Sequence, residues 1–359
     1  MTSRPILPYC FLLIAIVFLY SCGEKPAPDP CCTFTGLPPD ANVKDGQGAL
    51  QVDGGTSAYF YVFDASGKQV SYQSLNKTLS LDPGKYQIKV NNTSYPLEVK
   101  TGILAKCSTG TLIVAGNTPE YYYVMDSVNN QLSYDLLGKA TSFFPSSLKV
   151  KVNNTETPAD VNINKITEIV TGTLIVHGST NEYYYVLDGM NKQLNYNMLE
   201  KPLAFLPGTY QVKVNNSSMK ADVVASYLTA LVTGTLLVSG LTNEYYYVLD
   251  SLGNSLNYQS LNKSLAFFPG NLEIKLNNTH LKAKVVKGEI SEFVTGSLML
   301  TGGGADYYYV LDETGNQLNY NSLNKSLSFF PSEYIVKLGQ STRKATVTPG
   351  QLTSISAFK

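Results

Sequence analysis

Runs of three consecutive tyrosines are the side chains in this sequence best suited to binding a ligand. The run occurs four times, and a fifth, related run reads Tyr59, Phe60 and Tyr61. In a strand, the outer two residues of such a run share one face and the middle residue lies on the other. The residue two places after each run is always apolar, as Leu187 is. We therefore predict that the outer tyrosines face the core.

On this interpretation the middle tyrosines form an outward aromatic row. An aromatic ring can stack on the apolar C–H face of a sugar ring. The sequence thus predicts glycan contacts from the four middle tyrosines, which are Tyr122, Tyr184, Tyr246 and Tyr308. The alternative, favoured by the absence of Trp, is that these residues cover the sheet and pair across strands.

The remaining reactive side chains do not form a catalytic or metal-binding set. The two histidines, His177 and His280, occupy different repeat positions, and their counterparts are not histidine. The turn 312–316 carries oxygen ligands of the kind that calcium prefers, but the corresponding turn 188–192 has too few carboxylates. We predict that the chain is not an enzyme and carries no metal or cofactor.

The start of the chain is typical of an exported bacterial lipoprotein. The apolar run 9–20 is too short to span a bilayer stably and predicts a signal peptide over 1–21. Leu19–Cys22 resembles the lipobox of bacterial lipoproteins, although Tyr20 is larger than the usual residue. This resemblance implies cleavage before Cys22 and a lipid on its sulfur. The alternative is an ordinary secretory signal with an incidental cysteine.

A lipid anchor would make the membrane the first expected partner, since two or three acyl chains hold stably. Gly23 and Glu24 do not resemble an inner-membrane retention signal, so we expect the outer membrane, on its periplasmic face or at the cell surface. Five prolines between Cys22 and Gln47 predict a semi-extended tether over 22–47.

Three further cysteines, Cys31, Cys32 and Cys107, follow the lipobox. In an oxidising compartment, a disulfide from Cys31 or Cys32 to Cys107 would join the tether to the folded part. One thiol would remain, so a free, buried Cys107 is the alternative.

A period of 62 residues determines the domain organisation. Gly48, Gly110, Gly172, Gly234 and Gly296 recur at this interval, and Asp, Lys and Pro landmarks follow them without an insertion. The period predicts five β-repeats over 48–109, 110–171, 172–233, 234–295 and 296–359.

Each repeat carries about seven short alternating segments separated by turn residues, and no helical pattern. This predicts an all-β chain of five small sandwiches. The short, uniform junctions indicate a stiff or gently twisted rod, in which neighbours stabilise one another. A five-bladed propeller is the alternative architecture.

The motifs of the repeat also resemble a known family. Phe205–Lys213 and Ala345–Gly350 are similar to the PEGA-type β-domains of bacterial envelopes, and the pattern is similar to transthyretin-like accessory domains as well. Departures are Ser146 and Ser332, where glycine is expected, and a heavier tyrosine content. The resemblance implies a non-catalytic extracytoplasmic module.

The charge balance of the chain argues against one class of partner. Lys plus Arg and Asp plus Glu both total 27, without a basic stripe, which argues against a nucleic-acid partner. We predict a structural spacer or an adhesive or display rod that contacts a glycan or another envelope protein. The alternatives are a multivalent glycan-binding protein and an accessory module of a secreted enzyme.

Overall fold

A computed structural model of the chain describes residues 31–39, 42–304 and 306–358, and every regular element in these ranges is a β-strand. No helix in the described ranges is long and apolar enough to cross a membrane. The signal peptide over 1–21 and the lipidation site Cys22 lie outside the described residues and stay predictions.

The strands repeat in the same order and with similar lengths in all five units. Unit 1 contains β1 (Cys32–Gly36), β2 (Gly48–Asp53), β3 (Tyr59–Phe63), β4 (Gln69–Ser74), β5 (Thr78–Leu81), β6 (Gly84–Val90), β7 (Thr93–Val99) and β8 (Ile103–Ser108). Unit 2 contains β9 (Gly110–Ala115), β10 (Tyr121–Met125), β11 (Gln131–Leu136), β12 (Ala140–Phe143), β13 (Ser146–Val152), β14 (Thr155–Val161) and β15 (Ile166–Val170). Unit 3 contains β16 (Gly172–His177), β17 (Tyr183–Leu187), β18 (Gln193–Met198), β19 (Leu203–Phe205), β20 (Gly208–Val214), β21 (Ser217–Val223) and β22 (Leu228–Val232).

The last two units follow the same plan. Unit 4 contains β23 (Gly234–Ser239), β24 (Tyr245–Leu249), β25 (Ser255–Ser260), β26 (Ser264–Phe267), β27 (Gly270–Leu276), β28 (Thr279–Val285) and β29 (Ile290–Val294). Unit 5 contains β30 (Gly296–Thr301), β31 (Tyr307–Leu311), β32 (Gln317–Ser322), β33 (Ser326–Phe329), β34 (Ser332–Leu338), β35 (Ser341–Val347) and β36 (Leu352–Ser356).

Each unit is a sandwich of two sheets. In unit 4 the strand orders are β26-β23-β29 and β25-β24-β27-β28, and only the β23–β29 pair is parallel. Leu236 and Val238 from the smaller sheet pack against Val248 and Ile274 from the larger one. Two facing sheets in each unit confirm the predicted sandwich and exclude the propeller, in which a unit would form one blade.

Each unit opens with a glycine because another segment of the backbone passes too close to leave room for a side chain. A Cβ atom on Gly234 would lie 2.1 Å from the carbonyl oxygen of Val286, which is closer than any side chain permits. The Asp landmark closes a turn: the Asp250 carboxylate accepts hydrogen bonds from the backbone N–H groups of Leu252 and Asn254. These contacts explain why an aspartate recurs at this position, since its carboxylate stabilises the turn.

The amino-terminal segment corrects the predicted tether. Cys32–Gly36 is not an extended linker, because β1 pairs antiparallel with β8 and adds a fourth strand to the smaller sheet of unit 1. A disulfide joins Cys32 to Cys107, which confirms that pairing among the two predicted. Cys31 remains a buried thiol, and its burial raises its pKa to about 11.

A side chain from each unit completes the core of the unit before it. Phe330 of unit 5 is 5% exposed and packs among the core residues of unit 4. We call this side chain the plug. The four plugs, in chain order, are Phe144, Leu206, Phe268 and Phe330.

A polar clamp surrounds the plug at the junction of units 4 and 5. The Glu244 carboxylate accepts a hydrogen bond of 2.6 Å from the backbone N–H of Ser328, and Asn277 donates one of 2.8 Å to the carbonyl oxygen of the same residue. Asn277 also donates to Glu244, and Asn278 donates to the carbonyl oxygen of Leu318. The clamp fixes the relation between neighbouring sandwiches, because its partners are backbone groups.

We predict that Phe330→Ala lowers the free energy of unfolding by about 3–5 kcal/mol, the usual cost of removing a buried phenylalanine. Urea unfolding followed by circular dichroism measures it. The matched control is Asp82→Ala, at the equivalent position of unit 1, where the side chain is exposed; it should change stability by less than about 1 kcal/mol. Equal losses of unfolding free energy in the two variants would contradict the claim that Phe330 completes the core of unit 4.

Candidate functional site

The structure overturns the predicted outward row of middle tyrosines. Tyr122, Tyr184, Tyr246 and Tyr308 are all 0% exposed, so none of them can contact a glycan. Each hydroxyl donates a hydrogen bond to a backbone carbonyl in its own unit; that of Tyr184 binds the carbonyl oxygen of Lys201 at 2.6 Å. Burial is tolerated because the polar end of the ring is satisfied.

The prediction failed because of the apolar residue used to choose the inner face. In unit 3 this residue is Leu187, and a β-bulge between Val186 and Leu187 shifts the register at that position. In the other four units the equivalent residue is only half-buried. The informative signal was Phe60, which replaces the middle tyrosine in unit 1 and needs no partner for a hydroxyl.

Burial also changes the acidity of the middle tyrosines. Removal from water disfavours the phenolate and raises the pKa of Tyr184 far above its ordinary value, and Glu120 adds to the effect. The pKa of Tyr122 is raised as well, again chiefly by burial. These groups therefore stabilise the fold only while they stay protonated.

The outer tyrosines, expected in the core, lie on the exposed surface of the larger sheet. In unit 3, Tyr183 and Tyr185 flank Tyr196 of the neighbouring strand, with ring centroids 5.8 and 5.7 Å away from it. We call this trio of rings the tyrosine face. The five faces contain Tyr59, Tyr61 and Tyr72; Tyr121, Tyr123 and Tyr134; Tyr183, Tyr185 and Tyr196; Tyr245, Tyr247 and Tyr258; and Tyr307, Tyr309 and Tyr320.

All fifteen rings are between 36% and 59% exposed, so each keeps a large part of its surface in water. This clustering of exposed rings makes the tyrosine face the candidate interaction surface of each unit. Sequence reasoning missed Tyr72, Tyr134, Tyr196, Tyr258 and Tyr320, although all five recur at the 62-residue interval.

A lysine continues each face across the sheet. Tyr196 lies opposite Tyr185, which lies opposite Lys213 on the next strand. The five lysines at this position are Lys89, Lys151, Lys213, Lys275 and Lys337. All are half-buried, and none forms an ion pair with another residue that the structure describes. The Lys89 ammonium lies over the Phe63 ring at 4.7 Å, and the charges of the other four lysines are available to a ligand.

A groove runs beside the tyrosine face at the unit junctions. Between units 4 and 5 it is open, encloses about 600 Å³, and is lined by Tyr245, Tyr247, Lys275, Asn278 and Leu318, among others. The equivalent groove between units 3 and 4 is lined by Tyr185, Lys213 and Asn216. The groove between units 4 and 5 combines aromatic rings, an ammonium group, amides and the Glu244 carboxylate, which together offer stacking surfaces and hydrogen-bonding groups to a ligand.

The histidines lie outside these grooves. His177 contacts Glu200 at 2.8 Å in unit 3, whereas His280 contacts Glu273 at 2.6 Å in unit 4. Hydrogen bonds from His177 and from the backbone of Gly178 lower the pKa of Glu200. The two pairs are unrelated by the repeat, and the described ranges contain no group of three or more His, Cys, Asp or Glu placed to hold a metal.

No protein-family model matches the chain, and no curated protein matches it. Among solved structures, it is similar to the TIE protein of Bacillus anthracis at 13% identity, over 93% of this chain and 75% of that chain, with a TM-score of 0.17. The major pilin subunit BcpA of Bacillus cereus has 9% identity, over 88% and 99%, with a TM-score of 0.17. The pilus adhesin SpaC of Lactobacillus rhamnosus GG has 9% identity, over 73% and 41%, with a TM-score of 0.14. Scores this low assign neither a family nor a role.

We predict that Tyr184→Phe lowers the free energy of unfolding by about 1 kcal/mol at pH 7, because one buried hydrogen bond is lost. The deficit should shrink above about pH 10, where tyrosine ionises in the unfolded chain but not when buried. That ionisation destabilises the wild type and is absent from the variant. Urea unfolding between pH 7 and 11 measures the difference. A deficit that stays constant with pH would contradict the buried assignment.

Proposed function

We propose that this protein is a non-catalytic, lipid-anchored envelope protein that presents five identical tyrosine faces as an adhesive or spacing rod. The observation that carries the proposal is the repetition of one exposed face in every unit. The fold accounts for the middle tyrosines, whose rings fill the core. The outer tyrosines pair across strands, which stabilises the sheet, but each ring also keeps a large part of its surface in water.

Five copies of the same exposed face suit adhesion better than catalysis. Five weak contacts on one chain combine by avidity, so the whole rod can hold a polymer that a single face would release. Binding sites that act together along a polymer need a constant spacing. The hydrogen bonds to backbone groups at the junctions hold the neighbouring units at such a spacing.

The membrane anchor is part of this proposal and rests on the resemblance of Leu19–Cys22 to a lipobox. We predict that Cys22→Ser moves the protein from the membrane fraction to the soluble fraction, because the acyl chains that would hold it cannot be attached. Cell fractionation with metabolic labelling by a fatty-acid analogue measures both effects. Cys31→Ser, a change to a buried thiol nine residues further on, is the control and should leave retention and labelling intact. Label retained on the Cys22→Ser protein would exclude this site.

A polysaccharide is the ligand class that we favour, with acidic groups as the preferred substituents. Tyrosine rings supply stacking surfaces, and the lysine of each face, which forms no ion pair with another described residue, supplies a positive charge. This second, finer proposal transfers the predicted glycan contact from the buried tyrosines to the exposed ones.

We predict that Tyr185→Ala with Tyr196→Ala weakens binding to a polymeric glycan severalfold, and that the same pair of changes in all five units weakens it by about 100-fold or more. Binding to immobilised neutral and uronic-acid polysaccharides measures this. Tyr227→Ala alters an exposed tyrosine away from the faces and is the matched control. Replacing the five face lysines with glutamine should weaken the acidic polymers selectively and reduce the salt dependence.

Two results would contradict the glycan proposal. One is the absence of binding to any polysaccharide on a broad array. The other is binding that the ten tyrosine substitutions leave unchanged while circular dichroism shows a native fold. The adhesive proposal itself would survive the first result if intact cells or another envelope protein bound the tyrosine faces.

A further inference from the structure

The contact between neighbouring units is a complete protein interface that occurs four times within one chain. One side carries the Asn-Asn turn and the core that receives the plug, as Asn277 and Asn278 illustrate. Units 2 to 4 add a glutamate, such as Glu244, whereas unit 1 has Ala58 at that position. The other side carries the plug and the backbone groups of the adjacent strand, as Phe330 and Ser328 illustrate. Such an interface is head-to-tail. An exposed end could therefore bind a second copy of the chain, the exposed end of that copy could bind a third, and a polymer would grow.

The carboxyl-terminal end has lost the side chains that make the clamp. Asp306 occupies the position of Glu244 and is one methylene shorter. Gly339 and Gln340 occupy the positions of Asn277 and Asn278, so the Asn-Asn turn that grips the next unit is missing. Unit 5 is thus the one unit of the five in which all three residues differ, whereas unit 1 differs only in having Ala58 in place of the glutamate.

The chain supplies its own substitute for the missing plug at this end. Phe358, in the final residues, packs against the core of unit 5. The guanidinium of Arg343 lies over the Phe358 ring at 4.9 Å. In unit 1 the residue equivalent to Arg343 is Tyr95, which contacts the plug Phe144 at a centroid distance of 5.9 Å. The tail thus occupies the part of the docking surface where a following unit would contact it.

The amino-terminal end is altered in the complementary way. Asp82 stands in unit 1 where later units have the plug, so an exposed carboxylate replaces an apolar side chain. Gln47 donates a hydrogen bond of 2.8 Å to Asp82 and accepts one from the Ser80 hydroxyl, while the backbone N–H of Lys44 donates to the same hydroxyl. In unit 2, the serine equivalent to Ser80 is Ser142, and its hydroxyl contacts Thr56 of the preceding unit.

We propose that the two ends of the array are built-in caps that keep the docking interface inside one chain and prevent a second copy from adding at either end. The caps are the tail with Phe358 at one end, and the segment 44–47 with Asp82 at the other. Removing the caps and restoring the internal residues should convert the protein into a head-to-tail assembling one.

Two variants test this proposal, both carrying Cys22→Ser so that a lipid cannot drive association. The carboxyl-end variant combines Asp306→Glu, Gly339→Asn, Gln340→Asn and Phe358→Ala. Asparagine suits position 339, because its φ of 56° resembles the 48° of Asn277. The amino-end variant combines Gln47→Ala and Asp82→Phe.

Sedimentation velocity should show that each variant is monomeric alone and that an equimolar mixture forms a 1:1 dimer. A chain carrying both sets of changes should form polymers whose length rises with concentration. Measurements should extend to millimolar protein, the effective concentration typical of linked modules. The matched control is a carboxyl-end variant that keeps Gly339 and Gln340 and so lacks the Asn-Asn turn present at all four internal junctions. Its dimer with the amino-end variant should be at least tenfold weaker.

Three outcomes would overturn the proposal that the two ends are caps. The first is a mixture that stays monomeric at millimolar concentration although circular dichroism and thermal melts show both variants folded. The second is head-to-tail association of the wild-type ends. The third is a dimer that stays equally strong in the control that keeps Gly339 and Gln340, because the Asn-Asn turn would then play no part in docking. None of these results depends on whether the tyrosine faces bind a glycan.

Discussion

The insertion of one apolar side chain from each unit into the core of the preceding unit is the interaction on which the array depends. A single sandwich of this length is close to the lower limit for independent stability, so a neighbour that completes its core stabilises it. The plug requires the two backbones to approach at one angle, and the glutamate and asparagine clamps hold that angle through backbone hydrogen bonds. Stability and geometry therefore come from the same contact.

Each tyrosine-rich strand contributes side chains both to the core and to the exposed surface. The middle tyrosine of each run is buried, with its hydroxyl bonded to a backbone carbonyl, and the outer tyrosines stand on the opposite side of the same strand. The core can thus remain constant while the face stays exposed. Because an apolar plug and an asparagine bond to the next unit's backbone recur at all four junctions, the faces are held in a similar relation along the chain, as multivalent binding to a polymer requires.

Much of the fold follows from the sequence, since the 62-residue period and the alternating segments predict five seven-stranded sandwiches. The exposed face was harder to predict, because alternation identifies two faces without saying which is buried, and Leu187 lies beside a bulge. The strand Cys32–Gly36 was missed for a different reason: its partner β8 lies far along the chain and its flanks are rich in proline. Contacts across a junction leave no local pattern, so the clamp also required the structure.

Distances between equivalent loops test most directly whether the units are held in one fixed relation. Val128, Met190 and Leu252 are all highly exposed and occupy the same turn of units 2, 3 and 4. Spin labels at 128 and 190, and separately at 190 and 252, can be compared by pulsed electron resonance. The fixed junction predicts two narrow distance distributions with the same mean. Broad distributions, or two different means, would contradict it.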